Sequence, residues 1–112
     1  MEQNAQNTAK IARLNDALRQ HGRGGEIFAT AGFQALAGTM QQTIIHQIRM
    51  FDTWTEDNDP WGEHDFGAVE QGNVKVFWKI VYYDNDSEFH SEDPSDPTVT
   101  RRVMTIMLAD EY

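Results

Sequence analysis

The chain has 112 residues, which is the size of one domain, and its 18 Asp and Glu against nine Lys and Arg give a formal net charge of −9. Nucleic acids and anionic membranes would repel such a chain, so we expect direct binding to neither. Hydrophobic residues make up 39% of the sequence, too many for a disordered acidic tail. No apolar run approaches the roughly 18 residues of a membrane span, and the N-terminus has no signal-peptide core, so a cytoplasmic location is expected. The chain has no cysteine, so any metal site would use His, carboxylate or carbonyl ligands.

The first half of the sequence predicts two helices and a short strand. We expect residues 1–8 to fray, and the glycines of HGRGG (21–25) to end the first helix. EIFATAG (26–32) is typical of a short strand, and Thr39 with Gln42 resembles a capping box that starts the second helix. The apolar stripes that predict the two helices are Ile11, Leu14 and Leu18, and then Met40, Ile44, Ile48 and Phe51.

In the second half the period changes to two, which predicts strands. FGAVE (66–70) and VKVFWKIVYYD (74–84) flank Gly72 and predict a hairpin. The β-branched residues of 98–112 favour a last strand, although Val103, Ile106 and Met107 also fit a helix, which stays open as the alternative. The sequence therefore predicts one α+β domain over residues 1–112. Its expected architecture is an antiparallel β-sheet of about four strands, with two α-helices packed on one face.

The acidity of the chain is local. Residues 52–96 contain 13 acidic residues against Lys75 and Lys79, a net charge of −11. Residues 1–51 contain five basic and three acidic residues, and residues 97–112 contain two of each. The acidic residues are therefore concentrated in two loops, TEDNDPWGEHD (55–65) and DNDSEFHSEDPSDP (84–97), which should both emerge at the open end of the predicted hairpin.

Four blocks of the sequence carry a family resemblance. They are EDNDPWGEHDFG (56–67), VFWKIVYYD (76–84), DPSDP (93–97) and TRRVMTIMLADEY (100–112). In these blocks the chain resembles a proteobacterial family described only as a domain of unknown function. The resemblance implies no activity. It implies an accessory role, since such members often sit on plasmids, phages and integrated elements, and His90 departs from the family pattern.

The acidic loops allow three interpretations. Short Asp and Asn side chains favour turns, which is the simplest interpretation of this region. A divalent metal ion, zinc or calcium, is the second, with His64, Asp65 and His90 as ligands if the two loops meet. Neither loop has the ligand pattern of an EF-hand. The third interpretation is catalysis by a metallohydrolase that uses His64 and nearby carboxylates as metal ligands, and no residue is predicted to be catalytic.

Aromatic residues beside carboxylates are typical of a protein-binding surface. We therefore expect a non-enzymatic accessory protein that occupies a basic surface of a partner protein, such as a nucleic-acid-binding effector. An anti-restriction or anti-CRISPR role would fit such a partner, and a metal-binding protein or metallohydrolase is the alternative. The oligomeric state is not predicted. The expected partner-binding residues are Glu56, Asp57, Asp59, Trp61, Asp84, Asp86, Glu88, Glu92 and Asp93.

Overall fold

The computed structural model describes residues 5–112. Of the segment expected to fray, residues 1–4 lie outside the described residues and residues 5–8 belong to the first helix. The helices are α1 (Ala5–His21), α2 (Ala31–Gln34), α3 (Gly38–Arg49) and a terminal 3-10 turn (Ala109–Glu111). The strands are β1 (Glu26–Ala29), β2 (Phe66–Gln71), β3 (Val74–Tyr83) and β4 (Arg101–Leu108).

The four strands form one mixed sheet in the order β1-β4-β3-β2. The hairpin of β2 and β3 is antiparallel, as predicted, and β3 also pairs antiparallel with β4. The expectation of a fully antiparallel sheet is wrong at one edge, because β1 pairs parallel with β4, from Glu26 against Val103 to Ala29 against Ile106. The long connection between these two strands supplies the crossover that a parallel pair requires.

The core lies on the face of the sheet to which the alternate apolar side chains of β3 point. The side chains of Val76, Trp78, Ile80 and Tyr82 are buried, as the period of two predicted. Helical side chains from all three helices complete the cluster: Ile11, Leu18, Phe33, Ile44 and Ile48. The predicted helix stripes are thus buried only in part, since Leu14, Met40 and Phe51 are half-buried and Phe51 lies beyond the end of α3.

Two local features differ from the sequence expectation. A third helix, α2, follows β1 directly, capped by Thr30, whose hydroxyl accepts from the backbone N–H of Phe33 at 3.4 Å. The capping box predicted at Thr39 and Gln42 is wrong, since α3 begins after Ala37, which provides no side-chain cap. The chain from Arg101 to Leu108 is a strand, which was the favoured of the two alternatives there.

The sheet register brings the two acidic segments to the same end of the molecule. We define the first acidic loop as residues 50–65 and the second as residues 84–100. Phe66 at the start of β2 pairs with Lys79, and the backbone N–H of Ile80 donates to the carbonyl of Asp65 at 2.8 Å. Both loops therefore emerge at the open end of the hairpin, as predicted. No helix among residues 5–112 is long and apolar enough to cross a membrane.

Candidate functional site

A buried polar network connects the two acidic loops to the core. At its centre Asn15 of α1 donates to the carbonyl of Glu63 at 2.9 Å and to the Tyr82 hydroxyl at 2.8 Å. Its side-chain oxygen accepts from Nε of Arg102 at 2.6 Å. The other end of the Arg102 guanidinium donates to the carbonyl of Pro94 in the second loop. One asparagine and one arginine thus hold a backbone carbonyl of each loop.

The electrostatics of this network follow from its burial. Burial raises the pKa of the Tyr82 hydroxyl, which therefore keeps its proton and donates to Oε1 of Glu63 at 2.9 Å. Burial also lowers the pKa of Arg102, whose guanidinium carbon lies 5.1 Å from the centre of the Tyr82 ring. The hydrogen bonds to Asn15 and Pro94 compensate for the loss of water around this charge, so the network depends on every member.

A second cluster fixes the first acidic loop through His64. Nδ1 of His64 lies 3.0 Å from Oδ1 of Asp16 and therefore donates, since a carboxylate only accepts. Nε2 lies 3.7 Å from Oδ2 of Asp59, and the other oxygen of Asp59 accepts from the His64 backbone N–H at 3.0 Å. The imidazole stacks on Trp54 with the ring centres 4.0 Å apart. Both ring nitrogens face carboxylates, so the ring links the first acidic loop to α1.

Arg19 of α1 joins this cluster to the helices. Its guanidinium is fully buried, donates to Oδ1 of Asp16 at 2.8 Å, and lies 5.1 Å from the centre of the Trp54 ring. It also donates to the carbonyls of Ile48 at 3.1 Å and Phe51 at 3.3 Å, where α3 ends. The first acidic loop is therefore anchored to α1 and α3 by charge-assisted hydrogen bonds.

The three residues predicted as metal ligands have different contacts in the structure. His64 contacts Asp16 and Asp59, whereas Nδ1 of His90 lies 2.9 Å from the carbonyl of Ser91 and its ring packs edge-on against Tyr82. Asp65 lines a surface cleft together with Trp61. Within residues 5–112 no group of three or more His, Asp or Glu side chains is arranged to hold a metal ion. The His64 ring is turned toward Asp16 of α1.

The residues expected to bind a partner are mostly at the surface, with one correction. Asp59 is only 8% exposed, because its carboxylate is used by the backbone and ring of His64. Asp84 is half-buried, and its carboxylate accepts from the backbone N–H of Glu88 at 3.0 Å, a hydrogen bond that stabilises the turn. The remaining ones are exposed: Glu56, Asp57, Trp61, Asp86, Glu88, Glu92 and Asp93.

The family model described as "Protein of unknown function (DUF3768)" matches residues 29–111. The chain belongs to this family. No curated protein and no solved structure matches it. The DUF3768 match contains both acidic loops and the whole sheet apart from most of β1, whereas α1 precedes it.

Sequence reasoning missed the residues that α1 contributes to the site. Asn15 follows Ile11 by four positions and precedes Leu18 by three, so it interrupts the apolar stripe of a predicted helix. A polar residue in such a stripe needs buried hydrogen-bond partners, which was the available signal. Arg19 follows Asn15 by four positions and therefore lies on the same face of the helix. What the sequence could not indicate was that their partners lie in α3, in β4 and in the first acidic loop of this DUF3768 member, some 30 to 90 residues away.

Proposed function

We propose that this protein is a non-enzymatic binding protein that occupies a basic surface on a partner protein with its two acidic loops. The observation that carries the proposal is the buried polar network, in which Asn15 and Arg102 hold the carbonyls of Glu63 and Pro94. Loops that are already fixed relative to each other lose less conformational entropy on binding. The same anchoring supports a surface whose carboxylates keep a constant spacing.

The distribution of exposed charge supports the same function. The opposite end of the sheet, where Glu70 pairs with Lys75 at the hairpin turn, has no comparable excess. Concentrated charge of one sign steers association with a surface of opposite sign and favours one orientation. The exposed carboxylates of the two loops are Asp52, Glu56, Asp57, Asp86, Glu88, Glu92 and Asp93.

A nucleic-acid-binding protein is the partner class that this charge fits best. Its phosphate-binding groove presents the lysines and arginines that the acidic loops would engage. The loops would then compete with nucleic acid for one surface, which is the chemistry of an inhibitor. An anti-restriction or anti-CRISPR role is the specific form of this proposal in which the partner is a defence nuclease complex.

Two charge-matched variants test the function. The immobilised protein is first used to capture partners from a cell extract at low and raised salt, and a captured protein is then purified. Its Kd is measured for the wild type, for Asp86→Asn/Glu92→Gln in the second acidic loop, and for Glu70→Gln/Asp110→Asn at the opposite end. Both variants raise the net charge by two, and all four side chains are exposed.

The proposal expects the loop variant to bind about fivefold more weakly, at roughly 0.5 kcal/mol for each exposed charge. The matched control should change the Kd by less than about twofold, because overall charge alone acts only through screened, long-range attraction. Equal weakening by both variants, or binding that ignores salt, would exclude the acidic loops as the binding surface.

A further inference from the structure

A cleft of about 450 Å³ lies between the first acidic loop and the face of the sheet that the helices leave uncovered. This volume falls within the range of about 300–1,000 Å³ that is usual for ligand sites. The cleft combines aromatic rings, carboxylates and one ammonium group. The side chains that matter here are Asp57, Trp61, Asp65, Phe66, Lys79 and Tyr112.

The aromatic side chains of the cleft are unusually accessible. Trp61 is 77% exposed and Tyr112 is 68% exposed, although rings of this size are normally buried. Behind them Phe66 packs against Tyr112 with ring centres 5.7 Å apart. The cleft therefore offers ring faces to a ligand, with further aromatic surface beneath.

The charges of the cleft favour a cation. Asp57 and Asp65 contribute two carboxylates against the single ammonium of Lys79. Nζ of Lys79 lies 5.3 Å from the centre of the Tyr112 ring, so a cation of the chain itself already uses one of these aromatic walls. Burial and the neighbouring Glu63 carboxylate raise the pKa of Asp65.

We propose that this cleft receives an arginine side chain of the basic partner. The inference rests on the proposed function and names the group on the partner that anchors it. A guanidinium is planar, stacks on aromatic rings and pairs with carboxylates through two parallel hydrogen bonds. Trp61 and Tyr112 supply the stacking surfaces, and Asp57 and Asp65 supply the acceptors. A phosphate would be repelled here, and a neutral ring would leave the carboxylates unpaired.

A peptide titration followed by NMR tests the inference. The probes are three short peptides of one sequence that carry arginine, lysine or citrulline at the central position, citrulline being the neutral analogue of arginine. The indole N–H signal of Trp61 is identified by its absence in Trp61→Ala. We expect the arginine peptide to shift this signal and the citrulline peptide to leave it unchanged.

Matched variants separate the cleft from general acidity. Trp61→Ala should weaken the arginine peptide about fivefold, whereas Phe89→Ala should leave its Kd unchanged. Phe89 is 71% exposed and lies in the second acidic loop, so it is a comparable aromatic residue outside the cleft. Lys79→Met should strengthen binding about threefold, because it removes the competing cation from the aromatic wall.

The outcomes distinguish this inference from the function on which it rests. A lysine peptide that binds as tightly as the arginine peptide, or equal weakening by Trp61→Ala and Phe89→Ala, would overturn the arginine site. If partner binding still responds to Asp86→Asn/Glu92→Gln in that case, the proposed function stands without it. A Trp61 shift specific for arginine supports the cleft even where no basic partner is captured.

Discussion

Asn15 is the side chain on which both acidic loops depend. It satisfies the carbonyl of Glu63, the hydroxyl of Tyr82 and the guanidinium of Arg102, and it is itself fully buried. A truncation at this position takes the Asn15 acceptor away from the buried guanidinium of Arg102, which keeps the Pro94 carbonyl, and this costs more than the loss of one neutral hydrogen bond. At the residue scale, therefore, one asparagine joins the anchors of the two acidic loops.

We predict that Asn15→Ala lowers the free energy of unfolding by about 3 kcal/mol, the cost of breaking a buried charged network. Urea denaturation measures this directly. Asn85→Ala is the control, because Asn85 is exposed and donates only to the carbonyl of Thr98. Its effect should stay within about 0.5 kcal/mol. Similar losses in the two variants would show that the buried network does not stabilise the fold.

Asp65 illustrates a residue that opposes folding where it serves the proposed site. Burial, followed by the Glu63 carboxylate, raises its pKa above the ordinary value of 3.8. Its ionised form is therefore disfavoured in the folded state, and it lowers stability at any pH above the raised pKa. Below 3.8 both the folded and the unfolded state are protonated, and the penalty is absent.

Asp65→Asn should accordingly raise the midpoint of thermal unfolding at pH 7. The gain should shrink as the pH falls through the raised pKa toward 3.8, because asparagine is neutral throughout. Thermal unfolding at several pH values measures this, with the exposed Asp57→Asn as the control. A gain that is independent of pH would contradict the electrostatic explanation, and the stabilised variant should still bind the arginine peptide more weakly.

At the scale of elements, the hairpin depends on a close approach between β2 and the indole of Trp78. Gly67 pairs with Trp78 across the two strands, and a Cβ at Gly67 would lie 2.6 Å from the indole ring. That distance is shorter than any van der Waals contact, so only glycine fits this strand position. The indole in turn fills the core below the first acidic loop, where it packs against Trp54.

We predict that Gly67→Ala destabilises the fold by about 1–3 kcal/mol through overpacking. Gly38→Ala is the matched control, since a Cβ there meets no atom within 4 Å and the residue begins α3. Because alanine is the better helix former, the control should be neutral or stabilising by up to about 1 kcal/mol. Equal destabilisation by both variants, measured by urea unfolding, would refute the steric explanation.

Local patterns predicted most of these elements but not all of their pairings. The alternation of β3 and the stripes of α1 and α3 are properties of adjacent residues, so they could be read directly. The parallel pairing of β1 with β4 joins residues nearly 80 positions apart, and nothing local encodes it. The four-residue helix α2 is too short to show a period, and only its Thr30 cap marks it.

The same limit applies to the candidate site. The convergence of the two acidic loops followed from the predicted hairpin, because its register brings both to one end. The orientation of His64 did not follow, since its ring turns toward Asp16, 48 positions away, and its backbone adopts a φ of 56°. The burial of Asp59 could not be predicted for the same reason, because nothing in the sequence distinguishes its carboxylate from the exposed carboxylates of the same loop.

At the scale of the whole molecule, the net charge of −9 comes from the two acidic loops at one end of the sheet. The basic residues of α1 include Arg19, which is buried in the core and does not offset the surface charge. The second acidic loop contains no Lys or Arg, and the next such residue is Arg101. Self-repulsion between the loops is opposed by the buried network that holds them. The fold thus maintains a local field that a partner of opposite charge would neutralise.

The most direct test of this account is backbone hydrogen exchange of the full chain with and without its captured basic partner. We predict slower exchange on binding in both residues 50–65 and residues 84–100, while the hairpin turn at residues 70–75 keeps its free rate. Protection confined to one acidic loop, or located at the hairpin turn or along β1, would contradict the claim that the two loops act as one binding surface.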